Sequence, residues 1–200
     1  MSNMWDEKYL RDGFLYGTEP NAFYKSELDL LQPGKILFLG EGEGRNALHA
    51  ARLGWKVDAY DYSTEGQKKA LRRAKEENLT INYSVQDLNE ISLDTEKYDV
   101  AVLIFLHLPE ELRIKTHNNV INALKPGGRV LLEAFEKDQI NNTTGGPKST
   151  DLLYSLEEIF TDFQDFELNK FSKETPSLDE GPGHQGKAIT VRLSATKPAK

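Results

Sequence analysis

Apolar residues come along this chain in short runs separated by amphipathic stretches, a spacing that predicts alternating strands and helices. Residues 36–39, Ile-Leu-Phe-Leu, form an unbroken apolar run ending at Gly40, as in a strand covered on both faces of a parallel sheet. Ala47, Ala50, Ala51 and Leu53 then recur on one face of a helix that Gly54 ends. A second strand is predicted over 56–60, and after it Ser63 or Thr64 caps a helix with Ala70, Leu71 and Ala74 inward and its charges in water. A third strand covers 81–86. The most apolar and β-branched run, 98–106, is expected at the sheet centre. A helix over 110–124 turns Leu112, Val120, Ile121 and Leu124 inward, and Lys125-Pro126-Gly127-Gly128 makes a tight turn into a fifth strand over 129–135. A polar loop over 136–150, a helix over 151–163, a strand over 166–171, a second polar loop over 173–186 and a strand over 187–197 complete the chain. The alternation describes an α/β fold: a Rossmann-like, mostly parallel sheet with helices on both faces.

The segment 1–34 precedes the first strand and carries Trp5, Tyr9, Phe14, Tyr16, Phe23 and Tyr24. So many rings need a surface to cover. They read either as an amphipathic helix packed on the sheet or as a lid, with Tyr16 and Gly17 folding over a ligand. Two hundred residues suffice for one well-buried domain, so 1–200 reads as a single unit in which 1–34 caps a core over 35–200.

Charge and composition narrow the partners. A net charge of −7 and a pI near 5.2 argue against broad binding to nucleic acid or anionic lipid. The chain has no cysteine, which removes disulfides, thiolate metal sites and cysteine nucleophiles. His49, His107, His117 and His184 show no metal-ligand spacing, so no metal is expected. The start of the chain is polar where a secretory signal is apolar, and no apolar run is long enough to span a bilayer, so a cytoplasmic location is expected.

The chemistry concentrates in 35–63. Gly42, Gly44 and Ala47 satisfy the dinucleotide spacing G-x-G-x-x-A, yet Glu41 and Glu43 would set two carboxylates beside the turn that must cradle a pyrophosphate. A cofactor with a cationic amine and a cationic sulfur, S-adenosylmethionine (SAM), suits such a turn. Asp61 follows the second strand and Asp87 the third, at the edge where open α/β sheets bind ligands; by acceptor chemistry Asp61 suits ribose hydroxyls and Asp87 an adenine amine. His107, at the end of the fourth strand, and His184, in the last loop, are candidate proton acceptors, with Tyr16 a further one. Asn141, Asn142, Thr143, Gly145 and Gly146 leave the ligand edge and are candidates to shape an acceptor pocket.

Together the glycine turn, the two aspartate-tipped strands, the Lys-Pro-Gly-Gly turn and the terminal strand pair resemble the class I SAM-dependent methyltransferases. The run Gly44-Arg45-Asn46, with WDEKY, YGTEPN, TGGPK and EGPGHQGK elsewhere, is similar to small bacterial members near the tellurite-resistance methyltransferases. The resemblance implies a seven-stranded sheet whose last strand is antiparallel. It also implies that Gly40, Glu41 and Gly42 lie against the methionine part of SAM, that Asp61 accepts from its ribose hydroxyls, Tyr62 flanks adenine and Asp87 meets the adenine amine, that the backbone around Ile104 and Phe105 lines the amino-acid end, and that Gly44, Arg45, Asn46, Ser63 and Leu88 also contact the cofactor. Phe38 departs from the pattern, standing where many members carry an acid; Glu41 or Glu43 is the candidate replacement for that charge. The acceptor is expected to be a small molecule, since the fourth strand lacks an Asn/Asp-Pro-Pro-Tyr sequence. Two other readings remain at this stage: a non-catalytic SAM-binding module, and an NAD(P)-dependent oxidoreductase.

Overall fold

The structure is a computed structural model, and it describes residues 4–199. Five strands, β1 (Lys35–Leu39), β2 (Lys56–Asp61), β3 (Asn82–Val85), β4 (Tyr98–Ile104) and β5 (Leu124–Phe135), pair in parallel in the order β3-β2-β1-β4-β5. The next two in space come from the end of the chain: β9 (Thr190–Thr196) pairs antiparallel with β5, and β6 (Glu167–Glu174) lies outside β9. Six strands thus run one way and the last runs against them, as the resemblance implied. β1 has β2 on one side and β4 on the other, so strand order reverses there and opens a crevice at the carboxyl ends.

Alternation along β1 explains why both faces are covered. Ile36 and Phe38 face a cluster with Ala47, Leu48, Val57, Ala70, Val100 and Val102, under α2 (Ala22–Leu28), α3 (Arg45–Arg52) and α4 (Thr64–Glu76). Leu37 and Leu39 face the opposite cluster with Ala101, Leu103, Val130, Leu132 and Leu193, under α5 (Glu110–Ala123) and α6 (Leu156–Asp162). A period of two delivers side chains to both layers, which is why the run reads as continuously apolar. Phe38, 1 % exposed, meets Tyr24 of α2 edge-on at 5.7 Å; the position that carries an acid in many relatives here seats a packing helix.

The final third of the chain differs most from the sequence reading. The helix expected over 151–163 is only α6 after a 3-10 turn at Thr150–Leu152, because Ser155 forms a capping box with Glu158 and starts the helix there. The loop over 173–186 holds a small hairpin, β7 (Ser177–Asp179) with β8 (Gln185–Lys187), anchored by Leu178 against Phe135, Leu153 and Ala188. The strand expected over 187–197 is therefore shared between the end of β8 and β9.

The segment before β1 forms α1 (Met4–Tyr9), a strap over 10–21, and α2. Asn21 caps α2 by accepting from Tyr24 N, and Phe23 and Tyr24 bury beneath it. α1 packs on α4: Asp6 Oδ1 accepts from Ser63 Oγ at 2.6 Å and from Glu65 N at 3.0 Å. No helix among the described residues is long and apolar enough to cross a membrane.

Candidate functional site

The turn after β1 takes positive φ at Gly40, Gly42 and Gly44 (69°, 61° and 88°), a region that excludes most side chains. Protein atoms fill the three missing Cβ positions. A Cβ would stand 2.7 Å from Leu106 Cδ1 at Gly40, 2.6 Å from the Tyr9 hydroxyl at Gly42, and 2.5 Å from Ala70 Cβ at Gly44. The spacing therefore answers to close packing by β4, α1 and α4 as well as to the turn itself.

The polar atoms of this turn are engaged inside the protein. Gly40 N and Glu41 N donate to Tyr60 O, and Gly42 N donates to Asp61 Oδ2 at 2.8 Å. Glu41 Oε1 accepts from Asn46 N at 3.0 Å and Ala47 N at 2.7 Å, so its carboxylate caps the start of α3. That arrangement discriminates between ligands. A dinucleotide site needs free N–H groups at this helix start for its pyrophosphate, and a Glu41 carboxyl oxygen already occupies that position. Burial pushes the Glu41 carboxyl up to about 8, against these N–H groups and the nearby Arg45.

The other residues expected around the turn have structural partners. Glu43 accepts from Leu15 N at 2.7 Å and from Lys69 Nζ at 2.7 Å, and Lys69 also reaches Arg11 O and Gly13 O. Arg45 donates to Tyr16 O and pairs with Glu180 at 2.9 Å, while Asn46 Oδ1 accepts from Asn21 N. The side chains of Glu43, Arg45 and Asn46 thus hold the strap. Ser63 is fully buried as the N-cap of α4, and Leu88 and Ile104 belong to the core through their side chains. The sequence could not show the partners of Glu43, Arg45 and Asn46 because each lies on a segment remote in the chain.

At the strand ends the two aspartates accept from backbone N–H groups. Asp61, 8 % exposed, accepts from Gly42 N and from Ser63 N, each through a different oxygen, and keeps further lone pairs; burial raises its pKa. Asp87 sits half-buried in the turn after β3 and accepts from Asn89 N. Tyr62 lies between them in sequence with its ring 53 % exposed. Phe105, just past β4, takes φ 53°, an uncommon conformation for an aromatic residue, and turns its ring onto Phe135 at 4.6 Å and His184 at 4.5 Å. Such strain at the crevice marks a position held by its surroundings.

Of the three candidate proton acceptors, two are poorly placed to take a proton. His107 is locked: Nδ1 lies 2.7 Å from Leu152 O, and Nε2 accepts from Phe135 N at 3.3 Å. With both nitrogens bound to backbone and burial driving its pKa to about 4, it orders the β5 exit and has no lone pair to offer. Tyr16 caps His184, ring to ring at 4.4 Å, and burial pushes its hydroxyl up to about 12, which makes it a hydrogen-bond donor at neutral pH. His184 is the remaining candidate, buried among Tyr16, Phe105 and Phe135.

A second layer of charge joins strap and hairpin. Asn21 Nδ2 donates to Glu133 Oε2 and Glu180 Oε1, and Arg192 pairs with Glu133 and Glu174. Gly183 N donates to Leu15 O. A cleft of about 320 Å³ lies between strap and hairpin, bounded by Tyr16, Asn21, Leu178, Glu180 and Arg192. A larger hollow of about 490 Å³ sits at the amino ends of the strands, among Lys35, Lys56 and Asp58, away from the glycine turn. Among the described residues no group of three potential metal ligands comes together.

The fold agrees with that of known proteins. The model of the family described as tellurite resistance protein TehB matches residues 5–196. The probable S-adenosyl-L-methionine-dependent methyltransferase TehB of Haemophilus influenzae is 30 % identical over 161 residues, covering 76 % of this chain and 53 % of that protein. The chain spans about half the length of the curated relatives it matches in this way. The crystal structure of TehB from Haemophilus influenzae superposes with a TM-score of 0.74 at 22 % identity, covering 96 % of this chain and 65 % of that one. Magnesium protoporphyrin IX methyltransferase from Synechocystis, solved with bound SAH, gives a TM-score of 0.67 at 16 % identity and covers 96 % and 92 %. With the family match spanning nearly every described residue, the chain belongs to the TehB family and has the fold of the class I SAM-dependent methyltransferases.

Proposed function

We propose that the chain binds SAM in the crevice between β1 and β4 and transfers its methyl group to a small acceptor beneath the strap and hairpin. The observation that carries this is the start of α3. Its N–H groups are capped by Glu41 and those of the turn by Tyr60 O and Asp61, so the site lacks a free anion cradle. The residues fit the cofactor: Gly40–Gly42 would hold its methionine end, Asp61 its ribose hydroxyls, and Tyr62 and Asp87 its adenine. The cofactor supplies an already activated methyl group on a cationic sulfur. What falls to this chain is alignment and the exclusion of water, and the strap, tied down by Glu43, Arg45 and Asn46, roofs the crevice. The cleft between strap and hairpin is the acceptor's way in. Where an acceptor must lose a proton, His184 receives it.

Calorimetric titration with SAM, S-adenosylhomocysteine and NAD tests the cofactor. Saturable binding of the first two without NAD is expected, and the reverse would sink the proposal. Turnover of SAM against small thiols, oxyanions, amines and proteins tests the acceptor. Activity confined to a protein acceptor would overturn the small-molecule assignment, and SAM binding with no turnover across the panel would favour a binding module.

A further inference from the structure

The loop joining β7 to β8 brings a carboxylate and an imidazole into line beneath the rings of Tyr16, Phe105 and Phe135. Glu180 Oε2 stands 3.2 Å from His184 Nδ1 and 2.9 Å from Arg45 Nη2, and Glu180 Oε1 accepts from Asn21 Nδ2 at 3.0 Å. The loop backbone closes on itself, with Glu180 N donating to His184 O at 2.9 Å, so the spacing of the two side chains is fixed by the turn. Burial alone would raise the Glu180 carboxyl, but the hydrogen bond with His184 and the Arg45 guanidinium bring it down to about 2. Glu180 is therefore an anion at any working pH. Facing an anion, Nδ1 of a neutral imidazole must carry the proton, which leaves the ring lone pair on Nε2.

Among the described residues the hydrogen bond of the His184 ring runs through Nδ1, and Nε2 makes none. Gly145 packs on that edge of the ring: a Cβ there, at φ 124°, would stand 2.7 Å from His184 Cδ2 and 3.3 Å from Nε2, so a larger residue would crowd the nitrogen. His107 provides the contrast, since both of its nitrogens are bound to backbone.

We infer that Glu180 is a positioning residue, holding His184 in the Nδ1–H tautomer so that Nε2 accepts the proton of a protic methyl acceptor. This rests on the methyl-transfer reading of the site. In the step it serves, Nε2 takes the proton from the acceptor's X–H group. The electron pair of that bond forms X–CH₃, and the pair of the breaking C–S bond stays on sulfur as S-adenosylhomocysteine leaves. Glu180 also joins three elements, the strap through Asn21, α3 through Arg45 and its own hairpin, which fixes its carboxylate against His184.

The groups facing His184 are Glu180 from its own loop, Arg45 from α3, Tyr16 from the strap and His107 from the end of β4. Burial lowers the His184 pKa and Glu180 opposes it. Nitrogen-15 spectra of labelled imidazoles read the tautomer directly on the protein alone, without cofactor or acceptor. In the wild type, His184 should show a protonated Nδ1 and a bare Nε2. In Glu180→Gln the population should move toward the Nε2–H form that free histidine favours, and the His184 pKa should fall by about one unit as the neighbouring charge is lost. Glu180→Asp should recover part of the wild-type signal, which a purely structural role would not require. An Nε2–H tautomer in the wild type, or an unchanged tautomer in a folded Glu180→Gln protein, would overturn the inference. The wild-type spectrum decides the matter even where a variant does not fold. A normal tautomer with no SAM binding would refute the methyl-transfer reading and leave the Glu180–His184 pairing standing.

Discussion

Glu41→Gln isolates the electrostatic consequence of placing a carboxylate inside the glycine turn. Burial raises this group from 4.5 to about 8, so the folded protein holds its proton more tightly than the unfolded chain does. The sign follows from linkage: the stability tied to this proton is complete below pH 4.5 and is lost as pH rises toward 8. At 1.36 kcal/mol per unit the whole shift corresponds to roughly 5 kcal/mol, of which roughly 3 to 4 kcal/mol falls between about pH 5 and pH 8. Glutamine keeps an acceptor oxygen for Asn46 N and Ala47 N but does not titrate. Urea unfolding of both proteins across that range should therefore show the variant gaining roughly 3 kcal/mol on the wild type by the alkaline end. Parallel stability curves would refute the reasoning. They would mean that the two N–H groups and Arg45 keep the carboxylate ionised throughout, and that burial does not dominate.

Other substitutions address separate links in the structure. Asp61→Asn turns one carboxylate oxygen into an N–H group facing Gly42 N or Ser63 N, and should weaken SAM binding by about ten- to a hundredfold in calorimetry; unchanged affinity would take Asp61 out of the site. Asp6→Ala removes the acceptor for Ser63 Oγ and Glu65 N at the start of α4, a loss of about 1 kcal/mol; amide exchange should rise in α1 while the sheet stays protected. Leu131→Ala opens a cavity at a fully buried position of β5 and should cost about 3 kcal/mol in chemical unfolding, a loss under 1 kcal/mol being evidence that the core collapses around it.

The sequence was most informative where the physics is local. The apolar run of β1, the glycines that end it and the aspartates after β2 and β3 are each set by a few neighbouring residues, and strand, turn and strand end appear where they were expected. It was least informative for side chains whose partners lie far along the chain. Glu41 and Glu43 read as charges awaiting a cationic cofactor, yet one caps α3 and the other ties down the strap. His107, at a strand end, and His184, in a polar loop, read as equal candidates, and only the hydrogen bonds of His107 to Leu152 O and Phe135 N separate the two.

What the sequence by itself determined is the layer architecture and the strand edge that carries the glycine turn and the two aspartates. Periodicity decides which residues face a core, and a glycine turn at a strand end decides where the chain can bend sharply. What only the tertiary structure decided is the site's roof and its wiring: β9 inserted between β5 and β6, the β7–β8 hairpin folded back over β5, and Glu180 brought within 2.9 Å of Arg45 across 135 residues of chain. Contacts of that separation leave no periodic trace, because they depend on how whole layers stack and on which buried charge finds a partner when they do.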